Sequence, residues 1–166
     1  MAAGREFSFL TTWLLACERG PVWEAIYDAD TWSEWWPGLV GAERHSSGEE
    51  TGVGQRGRYR WRAAVRYGVS FEMVSTRVEA PRLLEGKASG DLDGSGVWRL
   101  LDASAPDGSA PATAVLFDWR VRLARPGLRL AAPFAGPILR WNHARLMRAG
   151  AQGLASRLGC ELLAEG

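Results

Sequence analysis

The sequence predicts an α+β domain built on an antiparallel sheet, and three observations carry that prediction. Between about residues 40 and 124, apolar and polar side chains alternate in short runs separated by Gly, Asp and Pro clusters, the period-two signature of half-buried strands. Helical spacing is confined to PVWEAIYD (21–28), TWSEWW (31–36) and one long segment from about Pro137 to Leu163. With 166 residues, of which 46% are hydrophobic, the chain can fill one core, so a single domain over 1–166 is expected.

The elements follow in order. Residues 5–16 read as a first strand, because Phe7, Phe9, Thr11, Trp13 and Leu15 alternate with smaller or more polar neighbours. The same stretch, FSFLTTWLLAC, loosely resembles the end of a lipoprotein signal peptide, but Glu6 interrupts the positive region and two threonines weaken the apolar run. Nothing else approaches the roughly 18 apolar residues of a membrane span, so the expectation is a soluble cytoplasmic protein without stable membrane insertion. Pro21 suits a first helical turn, and Val22, Trp23, Ile26 and Tyr27 follow it at helical spacing. TWSEWW then forms a second short helix stopped by Pro37 and Gly38.

Strands are predicted at 40–47, 57–65, 68–79, 82–90, 95–103 and 112–124, an antiparallel meander with a solvated hairpin loop at 103–112. Arg58, Arg60 and Arg62 alternate with Tyr59, Trp61 and Ala63. Val115, Phe117, Trp119 and Val121 alternate with Leu116, Asp118, Arg120 and Arg122, so one face covers a core and the other meets water. Asp118 and Arg120 are expected to form an exposed ion pair on the outer face, worth little. In the terminal helix Leu139, Asn142, Leu146, Gly150, Gly153, Leu154 and Leu158 share one face. Its small residues either admit a close neighbour or leave room for a guest. Pro126, Pro133 and Pro137 predict an irregular or kinked approach to that helix.

Several chemistries are disfavoured by simple counting. A net charge of +1 with dispersed arginines provides no footprint for nucleic acid. Two distant cysteines, Cys17 and Cys160, do not make a disulfide scaffold and are expected to act as small hydrophobes. The two histidines, His45 and His143, have no partner at ligand spacing, so no metal and no other cofactor is expected. A buried, hydrogen-bonded His143 is favoured over a catalytic base. GVGQRG (52–57) matches G-x-G-x-x-G, but strand-like RYRWR follows it where a phosphate-binding loop needs a helix, so a hairpin turn is expected.

Three local signatures, PVWEAIYDADTWSEWWPG, RLLEGKASGDLDGSGVWRL and RWNHARLMRAGAQGL, occur in the order strand, two short helices, about six strands, long helix. In this combination the chain resembles the START-like superfamily, in particular the polyketide cyclase/dehydrase and lipid-transport type of domain, over nearly its whole length. The resemblance implies a helix-grip fold, in which a curved antiparallel sheet of about seven strands wraps the long terminal helix and encloses an apolar cavity. It is specific for fold and weak for function.

Within the resemblance, FEMVSTRV (71–78) matches the strand that lines the pocket of aromatase/cyclases with an aromatic residue, a Ser and an Arg. Here Ser75 and Arg77 are kept and Met73 stands where the aromatic would be, so Arg77 and Ser75 are the candidate catalytic pair if the strand is regular, against the alternative of a solvent-facing Arg77 near the strand end. An arginine so placed would stabilise a developing enolate electrostatically. No carboxylate or tyrosine suggests itself as general acid. Candidate ligand-binding residues are Trp36, Trp61, Phe71, Met73, Trp98, Phe117, Trp119, Asn142 and Leu146. Trp32 is expected in the core, Trp36 as a cavity wall or lid hinged at Pro37 and Gly38, and Trp35 pointing elsewhere.

Three functions compete. The first is binding, sequestration or transport of a hydrophobic small molecule, aromatic, polyketide-like or lipid-like, by a monomer or homodimer. The second is a polyketide aromatase/cyclase acting through Arg77 and Ser75. The third is a partner-binding module with a vestigial cavity, which exposed apolar surface near Leu128 to Phe134 would favour.

Overall fold

The computed structural model describes residues 5–62 and 68–166, without the side chains of 131–133. Eight strands form one antiparallel sheet: β1 (Glu6–Leu15), β2 (Leu39–Ser46), β3 (Arg56–Arg62), β4 (Gly68–Glu79), β5 (Leu83–Gly90), β6 (Leu92–Ser104), β7 (Pro111–Leu123) and β8 (Leu162–Glu165). Their spatial order is β2-β3-β4-β5-β6-β7-β1-β8, the meander with its first strand brought round beside β7. Between β1 and β2 lie α1 (Arg19–Tyr27), a 3-10 turn (Ala29–Thr31) and α2 (Trp32–Trp35). The long helix α3 (Pro126–Leu158) packs against β1, β7 and both short helices, which completes the helix-grip arrangement. The end of the predicted strand 57–65, with Ala63, lies outside the described residues.

The alternation read in the sequence is the one that orients the sheet. On β1, Phe7, Thr11, Trp13 and Leu15 are buried while Glu6, Ser8, Leu10 and Thr12 are exposed. The outer face carries cross-strand ion pairs such as Arg58 with Glu72 (2.7 Å) and Arg122 with Glu6 (3.0 Å), and Asp118 pairs with Arg120 there (3.1 Å). These pairs are solvated and fix register more than they stabilise. GVGQRG forms the turn into β3, with Gly52 and Gly54 at φ of 86° and 80°.

Two elements differ from the sequence expectation. The helix α3 begins at Pro126, well before Pro137, and is continuous. Pro126 occupies its first turn, where a missing N–H costs nothing. Pro133 and Pro137 each remove one backbone donor but the helix runs on through them. At the other end, Gly159 adopts a left-handed φ of 64° and stops the helix, with Cys160 N–H donating to Ala155 O at 3.0 Å. Leu162 and Leu163, expected as the end of the helix, therefore open the eighth strand, which pairs with β1.

The tryptophans of TWSEWWPG explain the glycines of α3. Trp35 and Trp36 are both buried and stack on each other at 5.3 Å. A Cβ at Gly153 would lie 1.8 Å from the Trp35 carbonyl oxygen, and one at Gly150 would lie 2.4 Å from the Trp36 ring. The small residues therefore admit α2 rather than a guest.

Cys17, just after β1, and Cys160, just after α3, bring their sulfurs within 2.8 Å as free thiols. Burial, and then the hydrogen bond with Cys160, pushes the Cys17 thiol up to about 12. Since the thiolate is the nucleophile, Cys17 in the folded protein is expected to alkylate with iodoacetamide far more slowly than in the urea-unfolded chain. Peptide mass spectrometry reads the difference, and equal rates in both states would contradict the half-buried, protonated thiol.

Candidate ligand cavity

Between the concave face of the sheet and α3 lies a cavity of about 420 Å³ with predominantly apolar walls. Strand pairing builds it. Opposite residues on paired strands point to the same face, and here the inward positions carry rings. Tyr59 faces Phe71 across β3 and β4, and Trp98 faces Phe117 across β6 and β7. Trp98 and Phe117 stack at 4.0 Å, Phe117 meets Trp119 at 5.7 Å, and Trp119 meets Phe71 at 5.7 Å. The resulting aromatic wall runs across four strands.

Trp36 closes one end, 5.2 Å from Trp61. Its indole N–H donates to the Leu146 carbonyl at 2.8 Å, and its ring is 3% exposed. A ring so anchored is a wall and not a lid. Trp32, expected in the core, is the less buried of the two: it lines the cavity and donates to the carbonyls of Ala25 and Ile26 at 3.1 Å. Trp35, expected to project elsewhere, is buried behind Trp36. Of the remaining sequence candidates, Met73, Asn142 and Leu146 also line the cavity.

Ser75 lines the cavity and Arg77 does not. The register of β4 on β5 shifts between these two residues: Ser75 faces Gly86 and Arg77 faces Glu85, so β4 carries one extra residue there. Such a bulge breaks the alternation. Beyond it Val78, not Arg77, packs on the core. The Arg77 side chain is 55% exposed and donates to Glu79 at 2.8 Å, which holds its guanidinium above the ordinary value. The expected Arg77 and Ser75 pair is thus divided between solvent and cavity.

The cavity also has polar groups that pattern reading passed over. Gln55, Tyr59 and Glu85 line it beside Ser75, so a tyrosine and a carboxylate do reach the chamber. Burial pushes Tyr59 up to about 12, with Asp30 acting in the same direction and Arg44 opposing. At neutral pH the phenol is a hydrogen-bond donor. Its alternation with Arg58 and Arg60 was the available signal, whereas Gln55 and Glu85 lie where turns and register shifts erase periodicity. On the helix side His143 stacks on Phe9 at 4.3 Å and sits 3.3 Å from Thr11 Oγ1. Burial lowers it to about 4, so the imidazole is neutral at ordinary pH. Among the described residues no group of three or more His, Cys, Asp and Glu side chains could hold a metal.

A helix-grip domain enclosing an aromatic-walled cavity is the class that these features define. Residues 15–159 match the family described as polyketide cyclase / dehydrase and lipid transport, and the chain belongs to that family. Among solved structures, it resembles the Zhui aromatase/cyclase from Streptomyces sp. R1128, with 16% identity, 92% of this chain and 93% of that one covered, and a TM-score of 0.68. It also resembles the di-domain ARO/CYC BexL from the BE-7585A biosynthetic pathway at 17% identity and a TM-score of 0.64, covering 91% of this chain and 49% of that one. Protein Ms6760 from Mycobacterium smegmatis matches at 12% identity and a TM-score of 0.62, covering 92% and 90%. The chain thus spans about half the length of the two-domain protein. At such identities these likenesses establish the fold. A comparison with curated protein sequences returns no match.

Proposed function

We propose that this domain binds a hydrophobic small molecule of polyketide-like, fused aromatic character in the cavity between sheet and α3. The observation that carries the reading is the continuous wall of neighbouring rings, Phe71, Trp119, Phe117 and Trp98, around about 420 Å³ of largely apolar space. That volume lies within the range of small-molecule sites, and flat ring faces reward a flat ligand. Tyr59, Ser75 and Gln55 on its walls give such a ligand polar groups to meet. Membership in the polyketide cyclase/dehydrase family, and the likeness to the Zhui aromatase/cyclase, support the same ligand class.

Native mass spectrometry of protein purified from its own host tests this directly, with a co-purified small molecule as the expected result. An anthraquinone is a suitable probe, because its binding among the tryptophans would quench their fluorescence. Ser75→Phe, which puts a ring into the cavity, is expected to weaken probe binding at least about 10-fold. Arg77→Ala is expected to leave it within about 2-fold, as for a surface position remote from the site. Probe binding that survives Ser75→Phe but fails in Arg77→Ala would overturn this assignment.

A cyclase reading rests on a separate observation, the buried Tyr59 phenol that lines the same cavity as Ser75. In that reading Tyr59 donates a hydrogen bond to an enolate oxygen during ring closure, the role that the exposed Arg77 is too remote to fill. Loss of turnover with retained probe binding in Tyr59→Phe would support it. Unchanged turnover would remove it.

A further inference from the structure

The amino-terminal half of α3 has a second apolar face, turned away from the sheet. Leu130 and Phe134 are each 84% exposed, Ile138 is 48% exposed and Trp141 is 53% exposed. Their spacing, i, i+4, i+8 and i+11, makes one continuous stripe. Two of these side chains, Phe134 and Ile138, also line the cavity, so the stripe is the outer rim of its mouth. Exposed rings beside the entrance to an apolar chamber join the cavity to whatever phase covers the stripe.

Charge identifies that phase. From Arg125 to Leu158 the chain contains no Asp or Glu, and Arg125, Arg129, Arg140 and Arg145 are all exposed. At about 100° per residue Arg145 lies beside the stripe and Arg140 flanks it, while Arg125 and Arg129 stand at the start of the helix, Arg129 in a groove shared with Glu6, Asp93, Arg120 and Arg122. None of the four is in an ion pair among the described residues; Arg145 instead lies over the Trp141 ring at 5.7 Å. Arg148 and Arg157, farther along, are neutralised by Glu165 and Glu34. A second copy docking through this face would set arginines against arginines. A surface that is anionic at the headgroups and apolar just beneath them satisfies both features at once.

We propose that α3 docks on an anionic lipid surface, with Leu130, Phe134, Ile138 and Trp141 entering the headgroup boundary and Arg140 and Arg145 meeting the lipid phosphates. The association is peripheral, since no helix of the described residues is long and apolar enough to cross a membrane. It goes beyond the cavity's ligand and holds whatever that ligand is. Its consequence is that the mouth opens toward hydrocarbon, so a sparingly soluble molecule passes between membrane and cavity without crossing water.

The test uses the ligand-free full chain with vesicles of phosphatidylcholine alone and of phosphatidylcholine mixed with phosphatidylglycerol. The expected result is co-sedimentation with the mixed vesicles only, weakened by salt, together with quenching of tryptophan fluorescence by brominated acyl chains. Arg140→Glu combined with Arg145→Glu is expected to lower the affinity at least about 10-fold. Leu130→Ser combined with Phe134→Ser is expected to abolish the quenching. All four residues are exposed, and an unchanged circular dichroism melt would show that the variants fold. No binding to mixed vesicles, or binding that persists through the charge reversal, would overturn the proposal. So would a dimer in solution that the Leu130→Ser and Phe134→Ser variant dissociates, because a second copy would then cover the face. Failure of the anthraquinone to bind would leave the vesicle result untouched, so the two readings fail separately.

Discussion

Replacing Gly153 by alanine is expected to destabilise the domain by about 3 kcal/mol, although alanine is the better helix former by about 1 kcal/mol. The added methyl would sit 1.8 Å from the Trp35 carbonyl oxygen, a backbone atom that moves only if α2 moves. Shifting α2 in turn dislodges Trp36, whose ring meets Trp13, Trp61 and Trp98 and whose N–H is bonded to Leu146 O. Gly150→Ala meets the Trp36 ring instead, at 2.4 Å, and is expected to cost about 2 kcal/mol, since a side chain yields more readily than backbone. Gly127→Ala is the internal control: it lies in the same helix with no atom within 4 Å of its added Cβ, and is expected to stabilise by up to about 1 kcal/mol. Urea unfolding followed by circular dichroism measures all three. Gly153→Ala at or above the parent's stability would show that α2 and α3 are not in close contact.

That contact also marks where sequence reading ran out. The strand pattern was legible because period-two alternation is imposed by one buried face, and it placed Trp61, Phe71, Trp98, Phe117 and Trp119 on the cavity side correctly. The same alternation, carried past Ser75, left open whether Arg77 faced the cavity or solvent, because a bulge leaves no mark on apolar periodicity when the residues around it are mixed. In TWSEWW, helical spacing alone set Trp32 and Trp36 on one side, but it could not tell which would be pinned by a carbonyl 110 residues away. The glycines of α3 were visibly costly, and their reason, the backbone of α2, is a tertiary fact. Gly159 was a helix stop in plain view, yet the leucines after it continued a helical pattern until pairing with β1 claimed them.

Lowering the pH from about 7 to 5 is expected to destabilise the domain by about 2 kcal/mol through His143 alone. Burial depresses this histidine from 6.5 to about 4, so the unfolded chain takes up a proton that the folded chain refuses. Its stabilising contribution is therefore present above pH 6.5 and is lost as the pH falls from 6.5 toward 4, at about 1.4 kcal/mol per unit and about 3 kcal/mol in all. Most carboxylates titrate below pH 5, so the interval from 7 to 5 isolates the imidazole. The cause is local: the ring is stacked on Phe9, is within hydrogen-bond reach of the uncharged Thr11 hydroxyl, and borders the aromatic cavity, so burial acts on the imidazolium with no charged partner to offset it. His143→Gln keeps a polar group at the position and removes the titration. Its stability at pH 7 is expected to be lower by about 1 kcal/mol, from the lost ring contact, while its decline between pH 7 and 5 is largely abolished. Urea midpoints at several pH values for parent and variant give the comparison. Parallel declines in the two proteins would mean that water already reaches the imidazole in the folded state, and that this end of the cavity is wet.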